Sequence, residues 1–198
     1  MSLINALNMG DHALISADSE AVFSDGSRGQ VSKLLTIPHL NAVIACRGSL
    51  AFLQKAHAEF CTMSNFDQMA ERAELVMSYA LAQQGSTEHL DKYAHGAEMV
   101  LAGYSQKAGR VVIHLIRCEG IGKDTEAHLD IANAILPGDL GISLEGITAS
   151  REGLIDLTSR QVKAIREHAP DAAAGGNLIV AEVHQGRVAV ETVAAFAG

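Results

Sequence analysis

The chain has 198 residues, of which 48% are hydrophobic and 19% charged, and a formal net charge of −8. This length and balance predict one globular domain, residues 1–198, with a substantial core. A chain this acidic is not expected to bind nucleic acid, because phosphate contacts need a basic face. No apolar run approaches the roughly 20 residues of a membrane-spanning helix, so no membrane partner is expected.

The cysteines and histidines predict neither a disulfide framework nor a metal site. Cys46, Cys61 and Cys118 are widely spaced and form no C-x-x-C pattern, which favours buried thiols in a reducing compartment. The first residues lack the basic and apolar regions of a secretory signal, so we expect a cytoplasmic protein. The nine histidines are scattered, and none forms the zinc-binding H-E-x-x-H pattern. We therefore expect no metal and no cofactor.

The first forty-seven residues predict short strands joined by turns. Polar segments predict a turn at Gly10–Asp11, a loop at Ser24–Gln30 and a turn at Pro38–His39. The apolar runs that predict strands are Leu3–Met9, His12–Ala17, Val31–Ile37 and Asn41–Cys46.

Helical spacing of apolar residues begins after these strands. A first helix is predicted at Ser49–Cys61 and a second at Phe66–Gln84, where apolar residues recur every three or four positions. Asn65 and Gln68 form a capping pattern at the start of the second helix. The polar segment Gly85–Gly96 predicts a loop, whose first glycine ends that helix.

The second half of the chain alternates hairpins with one helix. The runs Met99–Tyr104 and Arg110–Arg117 predict a hairpin, and their nearly continuous apolar character implies burial on both faces. No clear element is predicted for Gly120–Gly146. The remaining predicted elements are a helix at Ser150–His168 and a final hairpin formed by Asn177–Val183 and Arg187–Phe196. This order of antiparallel hairpins and grouped helices predicts an α+β sandwich.

Three polar residues, one at the start of the chain and two in or beside predicted strands, follow one another at regular positions in the first part of the sequence. Ser2 becomes the N-terminal residue if the initiator Met1 is removed, and Asp18 follows it by sixteen positions at the end of an apolar strand. Lys33 lies within the predicted strand Val31–Ile37 and opens its lysine-apolar-apolar-x-isoleucine segment, Lys33–Ile37.

Two further motifs contain glycines. Arg47 and Gly48 lie where a strand gives way to a predicted helix, and the segment Asp171–Gly176 opens the late strand that begins at Asn177. These motifs, in this order and over nearly the whole chain, resemble the proteasome-like N-terminal-nucleophile (Ntn) hydrolases, the family of proteasome β-subunits and their bacterial relatives.

The resemblance implies a four-layer αββα sandwich and a site built around the chain terminus. Ser2 would be the nucleophile, with its own free α-amine as the base, and Asp18 and Lys33 would form the ion pair that activates it. The N–H of Gly48 would donate to the oxyanion, and Asp171 would orient the terminal residue. The substrate would be a peptide or a small amide, and the chain would self-associate as a dimer or ring.

The sequence departs from the family pattern in several places. The spacing to Lys33 is one residue short, and Pro137–Asp139 occupies the region of the family's Gly-Ser-Gly segment. Arg47 stands where the family has glycine, and Ala174 where it has a supporting serine. The side chain of Arg47 either obstructs the substrate backbone or recruits an acidic group of the substrate. Two functions therefore stay open: an amidohydrolase or peptidase, or a non-catalytic assembly or binding module of the same fold, as proteasome α-subunits are.

Overall fold

The computed structural model of the protein describes residues 2–23, 25–83, 96–169 and 171–196. Three helices lie in these ranges: α1 (Leu50–Phe60), α2 (Phe66–Ala82) and α3 (Arg151–His168), with a single 3-10 turn at Pro38–Leu40. The strands, in chain order, are β1 (Ile4–Asn8), β2 (His12–Asp18), β3 (Glu20–Val22), β4 (Arg28–Gln30), β5 (Leu34–Ile37), β6 (Ala42–Arg47), β7 (Ala97–Ser105), β8 (Arg110–Cys118), β9 (Thr125–His128), β10 (Asn133–Leu136), β11 (Gly176–His184) and β12 (Arg187–Phe196).

The strands form two antiparallel five-stranded sheets within the described residues. The first sheet has the order β10-β1-β2-β11-β12 and the second β5-β6-β7-β8-β9, while β3 and β4 make a separate two-stranded hairpin. In the first sheet β2 pairs with both β1 and β11, so that Ile4 lies opposite Ala17 and Leu178 opposite Asp18. This register brings the end of β2 beside the start of β1 and the start of β11.

The second sheet is buried on both faces, as its apolar strands predict. Val100 and Ala102 on β7 belong to a core cluster shared with the first sheet. The alternate residues Met99 and Leu101 belong to a second cluster formed with α1 and α2. On the first sheet, α3 contacts β1 and β2. Helices and sheets are therefore stacked in the order that an α+β sandwich requires.

The observed helices agree with the sequence patterns that predict them. The side chain of Ser49 accepts a hydrogen bond from Phe52 N–H at the start of α1. That of Asn65 accepts one from Gln68 N–H, at 2.8 Å, at the start of α2. Both contacts satisfy backbone donors that the first helical turn leaves open. The predicted end of α2 at residue 84 and the loop 85–96 fall almost entirely outside the described residues.

Two segments differ from their predictions. Arg28–Gln30, predicted as part of a loop, pairs with Glu20–Val22 as the hairpin β3–β4. The stretch Gly120–Gly146, for which no element was predicted, contains β9 and β10. Each of these four strands has only three or four residues, too few for alternation of polar and apolar side chains to be recognised. β10 is stabilised by pairing with β1 at the edge of the first sheet, and β9 by pairing with β8 at the edge of the second. β3 and β4 pair with each other.

Replacing Gly103 by alanine is expected to destabilise the fold by about 1–3 kcal/mol, the usual effect of overpacking a core. A Cβ at Gly103 would lie 2.2 Å from Cδ2 of Phe66, a ring that is 1% exposed and anchors the start of α2. Gly138→Ala is the matched control, because its nearest non-adjacent atom would be 3.5 Å from the new Cβ. Urea unfolding of both variants measures the difference. Equal stability of the two variants would contradict the close packing of α2 on β7.

Candidate active site

The carboxylate of Asp18 lies at the centre of a buried cluster at the end of β2. Its Oδ1 accepts hydrogen bonds from the ammonium of Lys33, at 2.7 Å, and from Leu3 N–H, at 2.8 Å. Its Oδ2 accepts one from Gly175 N–H, at 3.1 Å. Asp18 itself is fully buried. The sheet register explains this geometry, because Leu3 and Gly175 precede the two strands that flank β2.

Lys33 is held in place by the start of the second sheet. It immediately precedes β5, and its carbonyl accepts a hydrogen bond from Cys46 N–H, at 3.1 Å, on the neighbouring β6. Its side chain is 7% exposed. Burial lowers the pKa of the Lys33 ammonium, and the attraction of Asp18 opposes that change without cancelling it. A buried lysine of this kind is typical of functional sites and also occurs in structural ion pairs.

A cleft of about 1070 Å³ opens in front of this ion pair. Ser2, Lys33 and Gly48 all line it, with Asp18 behind the lysine. The cleft thus brings together the hydroxyl, the ammonium and the glycine that the sequence pattern singles out. Its rim includes Val22 and Phe23 of the β3–β4 hairpin.

Gly48 joins β6 to α1 in a conformation that favours glycine. Its φ is 146°, and a Cβ at this position would lie 3.2 Å from the Cβ of Ala97. Ser49, the next residue, caps the N-terminus of α1. Backbone N–H groups and the positive end of the helix dipole therefore lie at this edge of the cleft.

Arg47 also lines the cleft and belongs to a row of charges across three strands. It forms an ion pair with Glu98 on β7, and Glu98 pairs in turn with Nε of Arg117 on β8, at 3.0 Å. The strand register places these residues directly opposite one another. All three line the cleft. The shared carboxylate holds the Arg47 side chain along the sheet.

Asp171 lies apart from the other candidate residues. It is exposed, and the described residues that line the cleft do not include it. Its segment reaches the site through the backbone instead, because Gly175 N–H donates to Asp18. The sequence pattern also failed to single out Glu20, which lines the cleft and accepts hydrogen bonds from Arg28 and from Ala174 N–H. The only sequence signal for Glu20 was its position two residues after Asp18, where the apolar strand β2 has ended.

Hydroxyl, ammonium and backbone donors around one cleft are suited to attack on a polarised carbonyl. In the described ranges, no three His, Cys, Asp or Glu side chains are grouped so as to hold a metal ion. Nor does any described helix have the length and apolar character needed to cross a membrane.

Comparison with known proteins gives matches to solved structures alone, since no protein-family model and no curated protein sequence matches the chain. The structure of an Anbu (Gly-1) mutant from Hyphomicrobium sp. strain MC1 superposes with a TM-score of 0.69 and 12% identity, over 98% of this chain and 87% of that one. Anbu from Yersinia bercovieri, described as an ancestral beta-subunit, superposes with a TM-score of 0.66 and 10% identity, over 97% of this chain and 88% of that one. The chain therefore shares with these proteins an α+β fold built on two antiparallel sheets, and the resemblance to proteasome-like Ntn hydrolases holds at the level of the fold.

Proposed function

We propose that this protein hydrolyses peptide or small amide bonds with Ser2 as an N-terminal nucleophile, after removal of Met1. One observation carries the proposal: the buried Asp18–Lys33 pair opens onto a cleft that Ser2 and Gly48 also line. A structural ion pair has no need of a cleft beside it, whereas a catalytic pair requires access to a substrate. The similarity in fold to Anbu supports the same proposal, which also includes the four-layer αββα arrangement that the family resemblance implies.

The proposed reaction proceeds in two steps. The free α-amine of Ser2, whose ordinary pKa of about 7.7–8.0 lies near neutral pH, takes the hydroxyl proton as Oγ attacks the substrate carbonyl. The positive charge of Lys33 stabilises the developing alkoxide, and Gly48 N–H donates to the oxyanion. The C–N bond then breaks, the amine leaving group takes the proton, and water hydrolyses the resulting ester to regenerate Ser2.

The remaining candidates have supporting roles in this proposal. Arg47 binds an acidic group of the substrate, because it lines the cleft and shares the carboxylate of Glu98 with Arg117. Asp171 orients the terminal residue, as the family resemblance implies, although the structure places it at the surface.

Chemical labelling of the terminal residue tests the proposal. Intact-mass measurement of natively expressed protein is expected to show loss of Met1 and stoichiometric capture of Ser2 by β-lactone and epoxyketone probes. An epoxyketone reacts with a hydroxyl and an adjacent free amine together, so it reports on the complete nucleophile. The variant Ser2→Ala is expected to lose both adducts while keeping its fold. Active material that retains Met1 would defeat the proposal.

The second candidate is a non-catalytic assembly or binding module of the same fold. The departures at Arg47 and Ala174 favour it, since both lie close to the proposed reaction centre. It predicts a dimer or ring by light scattering and no capture by either electrophile. Assembly alone does not distinguish the two functions, because the catalytic protein is also expected to self-associate. Covalent capture of Ser2 by an electrophile distinguishes them.

A further inference from the structure

Glu20 joins three parts of the chain behind the proposed reaction centre. Its carboxylate accepts hydrogen bonds from Nη1 of Arg28 on β4, at 3.0 Å, and from Ala174 N–H, at 3.1 Å. Arg166 of α3 approaches the same place, since a Cβ added to Gly175 would lie 2.5 Å from its Nη2 and 3.1 Å from Oε2 of Glu20. The carboxylate is 18% exposed and faces donors on all of these sides.

The segment that Glu20 holds is the one that supports Asp18. Gly175 N–H donates to Oδ2 of Asp18, and the Gly175 carbonyl accepts from the N–H groups of Ser19 and Glu20, at 3.2 and 3.1 Å. The Glu20 side chain fixes Ala174, one residue earlier. The end of β2 and the start of β11 are thus joined by backbone and side-chain hydrogen bonds, and the side-chain contact depends on residue 20. The family pattern has a serine at this position. Ala174 has no side-chain hydrogen-bonding group, so only its backbone N–H contacts Glu20.

Glu20 also contributes charge to the site. It lines the same cleft as Lys33, and its negative charge adds to that of Asp18 in opposing the fall in the Lys33 pKa that burial causes. The charged groups nearest this centre are Asp18, Lys33 and Glu20, with Arg28 from β4 and Arg166 from α3. The other charged residues that line the cleft are Arg47, Glu98, Arg117, Glu119 and Asp139. Since Arg28 is paired with Glu20, it weakens the effect of Glu20 on the lysine.

We infer that Glu20 is a positioning residue for the Asp18–Lys33 pair. It fastens the segment that directs Gly175 N–H at Asp18, and its charge acts on Lys33 across the cleft that both residues line. This inference rests on the proposed function for its significance to catalysis. Its two physical parts, the contact and the charge, are measurable in the protein whether or not a substrate is turned over.

The test is the pKa of Lys33, followed by NMR of protein labelled with carbon-13 lysine, with the signal assigned by its loss in Lys33→Met. In Glu20→Gln the single amide oxygen accepts from Ala174 N–H and the NH₂ group faces Arg28, so the contact with Ala174 is kept but the charge is gone, and the pKa of Lys33 is expected to fall. Arg28→Gln removes the cation that offsets Glu20, and there the pKa of Lys33 is expected to rise. Glu74→Gln, an exposed charge change on α2, is the matched control and leaves it unchanged.

The opposite changes of the Lys33 pKa in Glu20→Gln and Arg28→Gln distinguish a positioning role from a merely structural one. If Glu20 were only part of a surface ion-pair network, both variants would lower the melting temperature and leave the Lys33 pKa where it is in the wild type. That result would overturn the inference. In catalytic material, the pH profile of β-lactone capture is expected to shift downward in Glu20→Gln. Failure of the wild type to react would reject the proposed function while the NMR result still decides the role of Glu20.

Discussion

The variant Asp18→Asn is expected to lose about 3–5 kcal/mol of unfolding free energy, the usual cost of removing one partner of a buried ion pair. All three groups that contact Asp18 are donors: the ammonium of Lys33 and the N–H groups of Leu3 and Gly175. The asparagine amide has one oxygen, so its NH₂ group must face one of these donors. Lys33 would also lose its counter-ion while remaining buried, which adds to the cost. Urea unfolding at neutral pH measures the loss.

The same loss is expected to diminish as the pH rises. The pKa of Lys33 is already below its ordinary 10.5 because of burial, and it falls further without Asp18. Between the folded-state pKa and 10.5, the unfolded chain binds more protons than the folded chain, so the unfolding free energy rises with pH in that window. The window extends to lower pH in Asp18→Asn than in the wild type. The stability difference between the two proteins therefore narrows as the pH increases towards 10.5.

A double-mutant cycle provides the control. Asp18→Asn combined with Lys33→Met removes both charges, and this protein is expected to be more stable than Asp18→Asn alone, because no unpaired ammonium remains buried. If the unfolding free energy of Asp18→Asn lies within about 1 kcal/mol of the wild-type value, the Asp18 carboxylate does not stabilise the fold through the hydrogen bonds described above. A difference that stays constant over the alkaline range would contradict the assigned burial of Lys33.

One strand that holds the ion pair was recognisable in the sequence because its apolar run is long. β2 is buried along nearly its whole length, so its end at Asp18 is marked by the change from apolar to polar residues. Lys33 has no such mark, because the predicted strand Val31–Ile37 includes it, and the family pattern alone singled it out. A spacing pattern can therefore nominate these two residues, but their 2.7 Å contact depends on how the two sheets stack.

Other features of the site depend on contacts between distant segments and leave no local pattern. Glu20 meets Ala174 across 154 positions, and Gly175 meets Asp18 across 157. A buried polar network under α3 is of the same kind, since Asn5 donates to Thr158 and Gln161 from 153 and 156 positions away. Asp171 shows the converse, because its segment contacts Asp18 through Gly175 N–H while the side chain of Asp171 itself lies at the surface.

Lys33→Met is expected to slow capture of Ser2 by a β-lactone about 10²–10³-fold, the range typical of removing one group that stabilises developing charge. The ammonium supplies the positive charge that stabilises the alkoxide, whereas the methionine thioether has none and still fills the space of the lysine stem. Its cost in stability is expected to be smaller than that of Asp18→Asn, since Asp18 keeps its hydrogen bonds from Leu3 and Gly175 N–H.

This contrast between rate and stability distinguishes a catalytic lysine from a structural one. The matched control is Lys163→Met on α3, an exposed lysine with a side chain that is 78% accessible, which is expected to change neither quantity. A Lys33→Met protein that reacts at the wild-type rate would show that the Asp18–Lys33 pair only supports the fold. A wild type from which Met1 is removed, and which still resists both electrophiles, would leave the binding module as the function of this chain.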